Sequence, residues 1–270
     1  MYCHTATQQI STSGAGVRIE FSIQAHSAVG RGLRTPCQWG TWAAAQPSAP
    51  LGELDLDVSS IPAMARRRLG SLAKMAVVVA DDVLAQTSMA DIPMVWVSRY
   101  GDSDKSLRLL RAQAGAQPLS PTAFALSVHN GVAAQYSILR GMVSNAICIA
   151  ASSAGPEAGL VEAIGLLHEG ASAVVLVCYD EGLPGEYARF GDAVAAEFAW
   201  ALVVSLIRPG LPAFALTAAV AHGEADAGTG QAGLPHGLQV LRFLLDPTQA
   251  QWTGAQAAPG RGWTWERMHG

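Results

Sequence analysis

The sequence predicts an α/β protein with a central β-sheet, and three observations support this fold class. Strand-like apolar segments alternate with helix-like amphipathic segments along most of the chain. Residues 145–178 contain an apolar strand, a turn of small residues, a helix that opens at Pro156 and a second apolar strand. No repeat or break in composition divides residues 17–270, so they are predicted to form one domain. The Ser/Thr/Gln/Gly-rich residues 1–16 are expected to be a disordered extension.

The first half of the chain is predicted to contain two strands and a long helix. Residues 17–25 alternate apolar and polar side chains, which is typical of a strand with one buried face. Two tryptophans in residues 38–42 indicate a packed loop, and residues 47–62 are rich in loop formers. Residues 62–86 are predicted to be helical because apolar side chains recur there at spacings of three and four. A short apolar strand is predicted at 94–98.

The second half continues the alternation of helices and strands. The predicted elements are helices at 102–114 and 130–139, strands at 145–150 and 173–178, an apolar segment at 194–207 that is either a strand or a short buried helix, a strand at 213–219, a mobile Gly/Ala-rich loop at 221–234 and a helix at 236–245. Residues 119–122 are predicted to form a turn or a helix entry. This order favours a sheet covered by helices.

The composition excludes several classes of function. Half of the residues are hydrophobic and 14% are charged, yet no apolar run is long enough to cross a bilayer. We therefore expect extensive buried surface, part of it at a subunit interface. The net charge of −4 and a single basic run, Arg66-Arg67-Arg68, give no indication of nucleic-acid binding. No signal peptide is recognisable, so a cytoplasmic protein is expected.

The cysteines and glycines indicate neither a metal site nor a bound cofactor. The four cysteines show no C-x-x-C spacing and no pairing with histidine at metal-binding distances, and no glycine-rich phosphate loop is present. Cys148 and Cys178 lie in apolar strand patterns and are interpreted as small core residues.

The turn before Pro156 is the most informative segment for function. It reads Ala-Ser-Ser-Ala-Gly and lacks the Gly-x-Ser-x-Gly pattern of a serine hydrolase elbow. Ser152 and Ser153 are interpreted as helix caps. His129 is either an acid–base group or a packing histidine. Asp180 and Glu181 follow a strand end, where they form either a functional pair or a solvated turn.

Several short strings occur in an order that resembles one protein family. They are Arg66-Arg67-Arg68-Leu69, Ser98-Arg99-Tyr100-Gly101-Asp102, Leu119-Ser120-Pro121-Thr122-Ala123-Phe124, Ser127-Val128-His129-Asn130, Gly159-Leu160-Val161-Glu162-Ala163, Cys178-Tyr179-Asp180-Glu181 and Trp263-Thr264-Trp265. The order resembles the short β-ketoacyl-synthase-like proteins of aryl polyene biosynthesis, which look like stand-alone chain-length-factor partners. The resemblance implies a thiolase-like fold reduced to about the N-terminal half of a condensing enzyme.

The same resemblance implies that the condensing chemistry is absent. Matching Glu162-Ala163 to the family places Ser153 where a condensing enzyme has its nucleophilic cysteine. Condensing enzymes also use two histidines from their second half. His222 and His236 lie in the corresponding part of this chain, but neither is in a recognisable motif. The resemblance therefore implies no catalytic residue, with Ser153 as a vestige and His129 as a weak candidate.

Two functional hypotheses follow. The first is a non-catalytic subunit that forms a heterodimer with an active β-ketoacyl synthase, meets acyl carrier protein through it and helps to shape the acyl tunnel. The alternative is a carrier-protein-dependent acyltransferase or thioesterase that uses Ser153. The tunnel candidates are Phe124, Tyr136 and Met142, chosen for bulk and position. The resemblance places the subunit interface on the strand after the elbow helix, at Ala173, Val174, Val175, Leu176, Val177 and Cys178.

Overall fold

The computed structural model describes residues 17–45, 48–151, 154–191, 194–220, 233–254 and 261–268. The predicted N-terminal extension and residues 221–232 of the predicted mobile loop lie outside these ranges. Among the described residues, no helix has both the length and the apolar character needed to cross a bilayer.

Eight strands form one sheet at the centre of the described structure. They are β1 (Arg18–Gly30), β2 (Met94–Val97), β3 (Ala146–Ile149), β4 (Val174–Asp180), β5 (Phe198–Ser205), β6 (Ala213–Val220), β7 (Gln251–Thr253) and β8 (Arg261–Met268). Their order in the sheet is β3-β2-β4-β5-β1-β6-β8-β7. The β2 strand runs parallel to β3 and β4, whereas the other neighbours pair antiparallel. The predicted α/β class with a central sheet is confirmed.

In the described ranges, eight α-helices flank the sheet. They are α1 (Pro36–Ala44), α2 (Ala63–Arg68), α3 (Ser71–Thr87), α4 (Ser103–Ala114), α5 (Pro121–Ala125), α6 (Gly131–Arg140), α7 (Gly155–His168) and α8 (His236–Leu245), and a short 3-10 helix covers Gly185–Phe190. The predicted helices at 102–114, 130–139 and 236–245 are confirmed as α4, α6 and α8. The helix predicted at 62–86 is two helices, because Leu69 takes an extended conformation and Gly70 caps α3.

The sheet separates two hydrophobic cores. One core lies between the sheet and the α1, α7 and α8 helices, and the other lies under α3 and α6. The β4 side chains alternate between them: Leu176 faces the first core, whereas Val175 and Val177 face the second. This explains why β4 is apolar at every core position instead of alternating apolar with polar.

Two parts of the fold differ from the prediction. Residues 38–42, predicted as a packed loop, lie inside α1, whose start is a capping box between Thr35 and Gln38. The C-terminal segment with Trp263 and Trp265 forms β8, which pairs with β6 and β7. Trp265 is fully buried against Phe21, with ring centroids 6.2 Å apart.

Candidate functional site

The elbow predicted from the sequence joins β3 to α7. The β3 strand ends at Ile149 and α7 begins at Gly155, with Pro156 in its first turn as predicted. The N-cap position is Ala154, so neither predicted serine occupies it. Ser152 and Ser153 lie outside the described residues, as does His222.

Glycine brings α7 unusually close to the sheet. A Cβ atom on Gly159 would lie 2.5 Å from Val97 Cγ2 and 2.7 Å from Leu176 Cδ1, which is sterically impossible without movement. A Cβ atom on Gly155 would likewise lie 2.9 Å from Val97 Cγ1. The first turn of α7 is therefore held directly over the carboxyl ends of β2 and β4.

A cavity of ≈ 110 Å³ lies at this point, beside the elbow. Its walls come from the ends of β2 and β4 and from the first turns of α7 and α8. Apolar contributions include Val97 and Pro156, and polar ones include Asp180, Glu181 and His236. Open α/β proteins place their functional groups at the carboxyl ends of their strands, as here.

A buried carboxylate connects α7 to the C-terminal part of the fold. Glu157 is fully buried, and its Oε1 accepts a hydrogen bond from Trp265 Nε1 at 2.9 Å. His236 Nε2 lies 2.8 Å from Glu157 Oε1 and 3.0 Å from Oε2. The Glu157 carboxylate is thus stabilised by two side-chain hydrogen bonds and by the positive end of α7. These interactions offset the free energy cost of burying it.

The two carboxyl groups at the end of β4 are partly protected from solvent. Asp180 accepts hydrogen bonds from Ser98 Oγ at 2.9 Å and from the Arg99 N–H at 2.8 Å. Burial raises the pKa of Asp180 to about 6, although those hydrogen bonds act in the opposite direction. Burial, and then repulsion by Asp102, raise the pKa of Glu181 to about 7. The pair is therefore not a fully solvated turn.

The two strand cysteines are poor nucleophiles. Burial raises the pKa of Cys148 to about 11, and burial also raises that of Cys178 well above its ordinary value. A thiolate is the reactive form, so both groups are un-ionised near neutral pH. Within the described ranges, no three His, Cys, Asp or Glu side chains are grouped in a way that could hold a metal ion.

The comparison with known families decides the assignment of the chain. Residues 39–266 match the family described as the β-ketoacyl synthase N-terminal domain. The chain belongs to the β-ketoacyl synthase family. The resemblance and the thiolase-like fold predicted from the short motifs are both confirmed. No curated protein sequence matches the chain.

Solved ketosynthase structures share this fold. One is the complex of a ketosynthase (ApeO) with its chain length factor (ApeC) from Xenorhabdus doucetiae, at a TM-score of 0.77 and 25% identity, covering 92% of this chain and 100% of that chain. The ishigamide ketosynthase/chain length factor has a TM-score of 0.56 and 16% identity, and the match covers 78% of this chain and 70% of that chain. A β-ketoacyl synthase from Burkholderia phymatum STM815 gives 0.57 and 13%, covering 70% of this chain and 59% of that chain.

Of the two catalytic candidates that the β-ketoacyl synthase resemblance implies, Ser153 lies outside the described residues and His129 lies within them. His129 packs against Gly101, where a Cβ atom would lie 3.0 Å from its Nδ1, and it does not line the elbow cavity. The histidine that lines the cavity is His236, which lies in no recognisable sequence motif. Its carboxylate partner Glu157 was not predicted at all.

The three tunnel candidates occupy different environments. Tyr136 is a core residue, because its ring lies 5.1 Å from that of Trp96 and its hydroxyl donates to Asp81 Oδ1 at 3.0 Å. Its assignment to a tunnel wall stays a prediction. Met142 is partly buried against the core under α3 and α6. Phe124 is 64% exposed on α5, so its ring is available to a partner.

The described structure contradicts the strand pairing predicted for the segment after the elbow helix. That segment, residues 173–178, is completely buried within this chain. The β4 strand is hydrogen-bonded to β2 on one side and to β5 on the other, so no backbone edge remains for another subunit. Its lack of charge reflects burial on both faces of the sheet.

The β3 strand is one of the two edge strands of the described sheet, and β7 is the other. The β3 strand is the terminal strand on the elbow side and pairs only with β2 in the described structure. Exposed apolar side chains lie on the flanking segments, with Ile138 on α6 at 83%, Val143 at 89% and Val161 on α7 at 43%. An open strand beside exposed apolar residues is typical of a surface that another chain covers.

Proposed function

We propose that this chain is a non-catalytic, chain-length-factor-like subunit that pairs with an active β-ketoacyl synthase and helps to shape its acyl cavity. Similarity to the ketosynthase–chain length factor complex supports the pairing. The sequence at the elbow, which has serine instead of cysteine, supports the absence of condensing activity. The order of the short motifs supports a role in aryl polyene biosynthesis, with acyl carrier protein reached through the synthase.

The observation that carries the proposal is the open edge of β3. Met94 N–H donates to Asn145 O at 2.8 Å, and Ser98 N–H donates to Ile149 O at 3.2 Å. The odd-numbered residues of β3 therefore face β2. In a parallel strand the alternate residues direct both backbone groups to the other side. The N–H and C=O groups of Ala146 and Cys148 are thus directed outward, where a strand of the synthase would pair with them.

A proline at the open edge is the first test. Ala146→Pro removes one outward N–H while the bonds to β2 remain, and Ala146 is an exposed first strand residue where proline is tolerated. When the chain is co-expressed with its cognate synthase, we expect co-purification to be lost. Loss of co-purification from a complex of moderate affinity corresponds to a dissociation constant that rises about a hundredfold, which is about 3 kcal/mol of binding free energy.

The opposite edge of the sheet provides a matched control. Arg267 N–H donates to Ala250 O and Gly254 N–H donates to Trp263 O, so Gln251 directs its N–H away from β8. Gln251→Pro therefore makes the same change at an exposed first residue of the other edge strand. It is expected to leave co-purification intact. Retention of the synthase by Ala146→Pro, or equal loss with both variants, would contradict pairing through β3.

Of the three tunnel candidates, Phe124 is the one that we propose contributes to the acyl cavity. Its ring is exposed on α5, and α5 precedes α6, which packs against the open β3 strand. We infer that a synthase paired at β3 extends far enough over the surface to reach this ring. We propose that Phe124 limits the length of the acyl chain in the assembled complex.

A further inference from the structure

The turn between α6 and β3 is fixed at both of its ends. The α6 helix ends at Gly141, which takes a left-handed conformation with a φ angle of 65°. Met142 N–H then donates to Ser137 O at 3.0 Å, and Asn145 O accepts from Met94 N–H at 2.8 Å. The turn therefore leaves α6 and enters β3 with little conformational freedom.

One carboxylate holds the middle of this turn. Asp91 lies in the loop before β2, and its Oδ1 accepts from Val143 N–H at 3.2 Å and from Ser144 N–H at 3.0 Å. Ser144 Oγ also donates to the backbone oxygen of Asp91 at 3.3 Å. The bond from the Ser144 N–H favours the ionised carboxyl group and lowers the pKa of Asp91. Asp91 is therefore an ionised acceptor at neutral pH.

Val143 is fixed in its backbone, yet its side chain contributes little to the fold. Its N–H is bonded to Asp91, whereas 89% of the residue is exposed. An apolar side chain held in this way costs a binding partner less conformational entropy than one on a mobile turn. Val143 lies three residues before Ala146, the first residue of β3, so the two Cα atoms are within about 11 Å of each other.

We propose that Val143 is an anchor residue for the β-ketoacyl synthase and that Asp91 is the residue that positions it. This inference rests on the proposed pairing of the synthase with β3. A synthase strand that bonds to the outward groups of Ala146 comes within reach of the Val143 side chain. The synthase surface that fits this residue is an apolar depression beside the pairing strand, because an apolar wall removes the exposed area of Val143 from water.

Truncation of Val143 tests the anchor. The chain is titrated with its cognate synthase, and we expect the dissociation constant to rise about tenfold for Val143→Ala, because a buried anchor side chain is lost. Leu51→Ala is the matched control. Leu51 is 79% exposed, and its backbone lies against Gly32 beyond the end of β1, which β2, β4 and β5 separate from β3. Its dissociation constant is expected to stay within about twofold.

Two substitutions of Asp91 test its positioning role. Asp91→Ala removes the acceptor of both turn amides, so in the isolated chain the Val143 and Ser144 amides are expected to exchange at least about tenfold faster. The dissociation constant of the synthase complex should rise about fivefold, because binding must then order the turn and its side chain. Asp91→Asn keeps a carbonyl oxygen as acceptor. It is expected to retain slow exchange and tight binding although the charge is gone.

The double variant separates positioning from a general effect on the fold. If Asp91 acts through Val143, Asp91→Ala causes no further loss of binding once residue 143 is alanine, so the double variant binds about as weakly as Val143→Ala alone. Independent effects would multiply to about fiftyfold. A fiftyfold loss, or unaltered amide exchange in Asp91→Ala, would overturn the positioning role of Asp91.

The outcomes also separate this inference from the proposed function. If Ala146→Pro abolishes co-purification while Val143→Ala binds the synthase as tightly as the unaltered chain, pairing at β3 stands and the anchor is overturned. If Val143→Ala changes only the self-association of the isolated chain, the anchor serves a second copy of this chain and its assignment to the synthase is wrong. If the unaltered chain forms no complex with the synthase, the proposed function fails and this inference fails with it.

Discussion

Tyr136→Ala is expected to lower the free energy of unfolding by about 3–5 kcal/mol. The ring is 1% exposed and packs against Trp96, so its removal leaves a cavity in the core under α3 and α6. The variant also removes the donor to Asp81, which otherwise binds Tyr136 and Arg140 together. Urea unfolding of the isolated chain measures this loss.

Phe124→Ala provides the contrast to that core substitution. The Phe124 side chain is largely exposed, so its truncation is expected to change stability by no more than about 0.5 kcal/mol. In the assembled complex it should instead shift the products toward longer chains, because the cavity wall recedes. Mass spectrometry of the polyene products measures the shift. Unchanged products with Phe124→Ala would remove it from the cavity wall, and a stable Tyr136→Ala variant would contradict its place in the core.

Val175→Pro is expected to prevent folding of the chain even without a synthase present. Val175 N–H donates to Pro93 O at 3.0 Å, and β4 is paired on both sides. Proline deletes that donor and leaves a buried carbonyl unsatisfied in the centre of the sheet. The expected loss is at least about 3 kcal/mol, with little soluble protein and no near-ultraviolet circular dichroism signal.

The Val175→Pro result is interpreted by comparison with Ala146→Pro on β3. Ala146→Pro keeps the fold and loses the synthase, whereas Val175→Pro loses the fold itself. A folded Val175→Pro chain that fails only to bind the synthase would place the subunit interface on β4 after all.

The misplaced strand pairing shows what an apolar strand can and cannot predict. The uncharged run at residues 173–178 correctly indicates a strand buried on both faces. It carries no information on whether the neighbouring strand belongs to the same chain. The β3 strand, with Ile147, Cys148 and Ile149, is equally apolar and lies at the open edge. Strand order is a long-range property, and a local pattern does not contain it.

The elbow was predictable because it is continuous in sequence, and the buried triad was not. The strand, Pro156 and the helix appear in the predicted order. Glu157, His236 and Trp265 are brought together from positions 79 and 108 residues apart, by the pairing of β8 with β6 and the docking of α8. No spacing rule links residues that only tertiary packing brings together.

Two missed elements did carry a local signal. Thr35, Pro36 and Gln38 have the spacing of a capping box with proline in the first turn, which predicts the start of α1. Trp263 and Trp265 alternate with Thr264 and Glu266, and this period of two predicts the β8 strand.

Hydrogen exchange of the β3 amides, with and without the cognate synthase, tests the central claim most directly. The Ala146 and Cys148 amides are directed to the open edge, so they should exchange rapidly in the isolated chain. Pairing with a strand of the synthase is expected to slow both by at least about a hundredfold, while the outward Gln251 amide on the opposite edge is unchanged. A stable complex in which Ala146 and Cys148 exchange as fast as in the isolated chain would contradict assembly through β3.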